Sequence, residues 1–301
     1  MISPPLLKSG DKIAIVAPGR KVSVQDIESS KRIFGSWGMD VVEAPHLYRV
    51  THSYLSGSDE ERFSDFQQML DDPEIQAIVC ARGGYGTTRI LDRLDFSSLQ
   101  RNPKWIIGFS DVTALHLMLF KLGIKSIHGT MPILFSKSES SSSIESLRSS
   151  LMGENTFISA AENNHNKYGK TTAQILGGNL SLIVDAIGTT SDPDTAGKIL
   201  VLEEIDEYSY KVDRMLTHLK RAGKLDTLAG LVIGHMTDIK ELELSFGETI
   251  EEIVLHKTLG KNYPVAFNFP IGHENPNMAW VHGSVMTLNV TETGSQLIPI
   301  F

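Results

Sequence analysis

Cysteine is almost missing from this 301-residue chain: Cys80 is the only one. An internal disulfide framework and a CxxC metal knot are thereby excluded, and a reducing compartment fits. Positive charge is also scarce. With 28 Lys and Arg against 36 Asp and Glu, the formal net charge is −8, and no basic run interrupts it. A nucleic-acid binder needs a basic face, so that class is not expected. No apolar run approaches the ~20 residues of a membrane span. The opening MISPPLLKSGDKIAIVAPG has two prolines and no long apolar core, unlike a secretory signal. The ten histidines include no HExxH or comparable spacing, so a zinc enzyme is not expected. What remains is ordinary for a soluble globular protein, at 41% hydrophobic and 21% charged residues. The expectation is a cytoplasmic protein that binds neither nucleic acid nor membrane.

The first half alternates strand-like and helix-like segments. KIAIVAPG (12–19), MDVVEAP (39–45), IQAIVCARGGYG (75–86), KWIIGFS (104–110) and IKSIHG (124–129) read as strands running into turns. Between them lie helical patterns over 22–38, 59–72, 87–94 and 111–120. Such alternation predicts a mostly parallel sheet with ligands at the carboxyl ends of its strands. A serine-rich stretch, SKSESSSS, then opens a polar region with some helix near 144–151. The second half has more strand, including GKILVLEEI and the alternating SVMTLNVTETG. The division expected is an α/β domain over 1–136, a linker over 137–171 and a β-rich domain over 172–301.

The most informative segment is IIGFSDVTALH, Ile106 to His116. A strand breaks at Ser110 and a helix follows, the layout of a nucleophile elbow. Backbone N–H groups at such a turn lack helical partners and can stabilise an oxyanion. The hydrolase signature G-x-S-x-G is half present, since Val112 stands where the second glycine would be. A helix cap fits Ser110 equally well, with Asp111 favourable in the first turn. A nucleophilic serine needs a base and an orienting carboxylate. Glu203 and Glu204 end one strand, and His273 lies in the turn PIGHENPN after another. The glycine-rich turn Arg82–Gly86 offers exposed N–H groups, but its spacing is neither the P-loop nor the dinucleotide fingerprint. Each also has a plain structural reading: a solvated charge, a polar loop residue, a tight turn. Cys80, inside AIVCA, reads as core. Trp280, near His273, is the one tryptophan to weigh as a substrate contact, against core packing.

Six segments carry a resemblance that covers nearly the whole chain. They are GDKIAIVAPG, SGSDEERFSDFQQMLDDPEIQAIVCARGGYGTTRILDRLDF, NPKWIIGFSDVTALH, ILGGNLSLI, ILVLEEIDEYSYKVDRMLTHL and FPIGHENPN, in that order. Together they resemble the serine LD-carboxypeptidase family, which includes muramoyltetrapeptide carboxypeptidases and microcin C immunity peptidases. The resemblance implies an amino-terminal sheet domain similar to class I glutamine amidotransferases and a smaller β-rich domain. It implies a catalytic triad of Ser110, His273 and Glu203, and an oxyanion hole from the N–H groups of Asp111 and Gly84, with Gly83 as fallback. No cofactor or metal is implied, and a homodimer is. The substrate would be a small peptide, a murein tetrapeptide losing its terminal D-Ala, with Arg82 a candidate for the free carboxylate. A peptidyl- or aminoacyl-nucleotide amide is the alternative substrate, and a noncatalytic murein-fragment binder is the alternative of another class. Many relatives carry a leucine-proline segment after the histidine; here NMAWVHG stands there, so the substrate-facing wall can differ.

Overall fold

A computed structural model describes residues 1–51, 53–154 and 157–300. Its first half is a parallel sheet of β1 (Lys12–Val16), β2 (Asp40–Glu43), β3 (Ile75–Cys80), β4 (Trp105–Gly108) and β5 (Ser126–His128). Their order is β2-β1-β3-β4-β5, so the winding reverses between β1 and β3. In open sheets of this type the crevice for a ligand lies outside the strand ends at such a reversal. The central strands β1, β3 and β4 are mostly apolar because both faces are covered; Ile13, Ile15, Ile78, Ile106 and Ile107 are fully buried, whereas the edge strand β2 is only half-buried. Helices α1 (Val24–Ser36) and α2 (Asp59–Asp71) both start with reciprocal capping boxes, Ser23 with Asp26 and Ser58 with Glu61. The short α3 (Thr88–Leu91) follows β3, and α4 (Thr113–Lys121) follows β4.

A second, seven-stranded sheet forms in the other half. It contains β6 (Ile158–Ala160), β7 (Gly169–Asn179), β8 (Ile199–Ile205), β9 (Gly230–Thr237), β10 (Val265–Ala266), β12 (Val285–Thr291) and β13 (Gly294–Pro299). Strands β7, β8, β9 and β10 run parallel, whereas β12, β13 and β6 add antiparallel pairs. Helices α6 (Leu180–Ala186), α7 (Ser209–Arg221) and α8 (Ile250–Lys257) supply one of its cores, which also takes in Leu117 from α4. No helix among the described residues is long and apolar enough to cross a membrane.

Two elements tie the halves together in ways that composition did not suggest. The serine-rich region holds α5 (Ser141–Met152), whose Leu147 and Leu151 enter the first core. Its Ser143 and Ser146 hydroxyls accept the N–H groups of Asn277 and Ala279, both at 2.8 Å. The second element, β11 (Trp280–His282), pairs antiparallel with β5 and so completes the first sheet from late in the chain. Trp280 is therefore corrected from candidate substrate contact to core residue. It is only 2% exposed and lies stacked between His128 and His282, with ring centroids 5.3 and 5.2 Å away.

Candidate active site

Strand β4 ends at Gly108, and the chain turns at once into a 3-10 turn (Ser110–Val112) leading to α4. Ser110 sits at φ +62°, in the left-handed region that a side chain with a Cβ enters only at a cost. The turn makes no side-chain cap hydrogen bond, so the helix-cap reading of Ser110 does not describe it. Val112, in the place of the signature's second glycine, is fully buried against Gly108, where an added Cβ would come within 2.8 Å of it.

The other two residues come from the second half. Glu203 is at the carboxyl end of β8, 0% exposed, and His273 is on the loop after β10. His273 Nδ1 is 2.7 Å from Glu203 Oε2, and its Nε2 is 3.0 Å from Ser110 Oγ. An ionised carboxylate can only accept, so Nδ1 carries the proton toward Glu203 and Nε2 is left to accept from the serine hydroxyl. Burial pulls the His273 pKa down, but the charge and hydrogen bond of Glu203, helped by Glu204, outweigh it and leave the pKa raised above 6.5. The ring also packs on Phe109, with centroids 4.9 Å apart. Its side chain stays 13% exposed, whereas that of Glu203 is fully buried.

Consecutive strand residues face opposite ways, which separates the two glutamates. Glu204 points to the start of α6, accepting from Asn179 Nδ2 at 2.9 Å and from the Ser181 N–H at 2.8 Å. Burial raises its pKa against those hydrogen bonds.

Residues not singled out in the sequence fix the His273 loop. The Gly272 N–H donates to Asn277 Oδ1 at 3.0 Å, and the Glu274 N–H donates to His235 Nδ1 at 3.2 Å. Asn277 was legible only as a turn residue of HENPN, and His235 as one of ten histidines.

Around Ser110, the glycine-rich loop after β3 closes the third side. A Cβ on Gly83 would lie 2.9 Å from Ser110 Cβ and 3.1 Å from Oγ, so Gly83 packs directly on the serine. Gly84 borders Arg20 and the Tyr54 hydroxyl instead. Its nitrogen is nonetheless only two bonds from the Gly83 Cα that packs on the serine. Arg82 is half-buried, with its Nη1 3.5 Å from the Lys21 carbonyl and no carboxylate partner among the described residues. A serine, an imidazole and a buried carboxylate in this sequence of contacts can relay a proton away from an attacking hydroxyl.

Profiles of the two domains of one peptidase family cover this arrangement. The LD-carboxypeptidase N-terminal domain matches residues 13–129 and the LD-carboxypeptidase C-terminal domain matches residues 172–288. The chain belongs to the LD-carboxypeptidase family. It is 31% identical to the probable murein peptide carboxypeptidase of Bacillus subtilis (strain 168), over 96% of this chain and 92% of that protein. Among solved structures, the muramoyltetrapeptide carboxypeptidase from Oxalobacter formigenes superposes with a TM-score of 0.88 at 28% identity, covering 96% of this chain and 99% of that one. The microcin C7 self-immunity protein MccF in complex with aspartyl sulfamoyl adenosine has the same fold, with a TM-score of 0.87 at 21% identity over 100% and 99% of the two chains. Membership of this family makes the protein a hydrolase of the carboxypeptidase class.

Proposed function

We propose that the protein is a serine LD-carboxypeptidase that removes a terminal D-alanine from a murein tetrapeptide in the cytoplasm, during cell-wall recycling. The observation that carries this reading is the continuous chain of contacts from Ser110 Oγ through His273 to Glu203. In this reading Ser110 Oγ attacks the carbonyl carbon of the L-configured centre, and its proton passes to His273 Nε2. Glu203 holds the imidazole tautomer and stabilises the imidazolium. The N–H groups of Asp111 and Gly84 take the oxyanion, with Gly83 the alternative second donor. Collapse breaks the C–N bond, and His273 gives its proton to the departing D-alanine amine. Water, deprotonated by the same nitrogen, then hydrolyses the acyl ester, and the proton returns to Ser110. Arg82, at the start of the glycine-rich loop and without a carboxylate partner among the described residues, is the group that would hold the free carboxylate of the substrate.

Relatives at 28–31% identity are named for murein peptides, whereas the MccF likeness at 21% concerns the fold. The test is a turnover panel on the purified protein, with murein tetrapeptide and aspartyl sulfamoyl adenosine at equal concentrations. D-alanine release at the higher kcat/KM supports the reading. Cleavage of the sulfamoyl amide alone would overturn it in favour of nucleotide-linked substrates, and turnover of neither would favour a binding role.

The raised His273 pKa adds a pH prediction. A general base works only when neutral, so kcat/KM should rise with pH along a limb centred above 6.5. In Glu203→Gln the two larger raising influences are gone while burial and the smaller pull of Glu204 remain, so the limb should move to lower pH and the plateau should fall. An unmoved limb in that variant would remove Glu203 from the relay.

A further inference from the structure

The Asp111 side chain points away from the site. It is 1% exposed, and its Oδ2 accepts the Thr87 N–H at 2.9 Å, 24 residues earlier in the chain. Thr87 immediately follows the glycine-rich loop Arg82–Gly86. The same carboxylate backs the turn after β1, since a Cβ on Gly19 would come within 2.9 Å of Oδ2. Burial drives the carboxyl pKa up, and the Thr87 N–H and the charge of Arg62 work against it.

Arg62 completes the arrangement from α2. Only 2% exposed, it donates through Nη1 to the Gly86 carbonyl at 2.9 Å and to the Pro18 carbonyl. Its Nη2 pairs with Asp59, which Arg89 also holds, at 2.7 Å. Burying an arginine and a carboxylate beneath three strand ends is costly unless hydrogen bonds satisfy them. Here Arg62 and Asp111 bond to backbone groups of the loops after β1 and β3, on either side of the sheet's reversal point, and Arg62 also to Asp59, whereas Asp111 Oδ1 and Arg62 Nε have no partner among the described residues.

We infer that Asp111 and Arg62 form a clamp that sets the Arg82–Gly86 loop against Ser110, making Asp111 a positioning residue through its side chain as well as an oxyanion donor through its N–H. The logic is geometric. The two donors proposed for the oxyanion come from different loops, and an oxyanion hole works only if both N–H groups are fixed before charge develops. Asp111 carries one donor on its own backbone and ties down the loop bearing the other, so one residue fixes their separation. The loop glycines cannot do this themselves, having no side chains.

This inference rests on the reading of Ser110 as nucleophile, and the experiment separates the two. Steady-state kinetics on murein tetrapeptide would compare wild type, Asp111→Ala, Asp111→Asn and Ser110→Ala, each with its melting temperature. Asp111→Ala should lose on the order of 10²-fold in kcat, the scale of one lost oxyanion donor, with KM within threefold of wild type. Asp111→Asn keeps an acceptor for Thr87 and should recover about tenfold of that loss. A merely structural carboxylate would lower the melting temperature and leave the kcat of folded protein alone. Asp111→Ala with kcat within threefold of wild type, alongside an inactive Ser110→Ala, overturns the clamp only. A fully active Ser110→Ala overturns the nucleophile and the clamp together.

Discussion

Ser110→Ala should reduce D-alanine release from murein tetrapeptide by about 10⁶-fold, the scale seen when a triad serine is removed and only binding and oxyanion stabilisation remain. The fold should survive it. The one side-chain hydrogen bond of Ser110 among the described residues is with His273 Nε2, and the partly exposed imidazole can take a water in exchange. Alanine keeps the Cβ and hence the left-handed strain, so the melting temperature should stay within a few degrees. Ser110→Gly removes that strain, worth about 1–2 kcal/mol, against a glycine entropy cost of about 0.5–1 kcal/mol. It should therefore be as stable as wild type or slightly more so, and equally inactive. That combination marks a residue held in an unfavourable conformation for its chemistry. A coupled D-amino-acid oxidase assay reads the loss, and more than a tenth of wild-type turnover in folded Ser110→Ala would exclude it as nucleophile.

How much of this was legible in the sequence differs from residue to residue. The parallel sheet was, because β1, β3 and β4 are short apolar runs separated by helical patterns. Ser110 was legible as a strand-to-helix junction, but its left-handed backbone was not, since no local signal at GFSD separates a cap from an elbow. Which of Glu203 and Glu204 meets His273 depends on the pleat phase of β8, and phase is set by what lies on each face of the sheet. The serine-rich segment read as a boundary because hydroxyls are common in loops. In α5 they are spent instead on the N–H groups of Asn277 and Ala279, a pairing across more than 130 residues that composition cannot reveal. Trp280 and β11 were hidden for the same reason: a three-residue antiparallel edge strand takes its identity from β5, not from its own periodicity. Asp111 shows the converse, a residue found for its N–H whose side chain turned out to hold a different loop.

The joint between the halves yields the second large effect. Gly178 lies at the end of β7, opposite Leu202 and next to the Asn179–Glu203 pair. It has φ +131°, and a Cβ there would fall 2.5 Å from Thr113 Oγ1 and 3.1 Å from Thr113 Cγ2. Thr113 opens α4, three residues after Ser110, and its Oγ1 accepts the Asn179 N–H at 3.1 Å. This contact sets the distance between the element carrying the serine and the strand beside the glutamate. Thr113 is β-branched and fully buried, so it cannot swing aside. Gly178→Ala should therefore separate Ser110 from His273, and a displacement near 1 Å costs about 10²-fold in rate. The backbone conformation should cost a further ~1–3 kcal/mol of stability. The two effects can be pulled apart. Adding Thr113→Ala removes both clashing atoms but not the φ penalty, and it leaves the Asn179 N–H without its acceptor. The double variant should regain most of the lost kcat while melting no higher than Gly178→Ala. If kcat stays low in the double variant, the contact does not set the site's geometry; if Gly178→Ala alone turns over at the wild-type rate, the joint tolerates the shift and the relay does not depend on it.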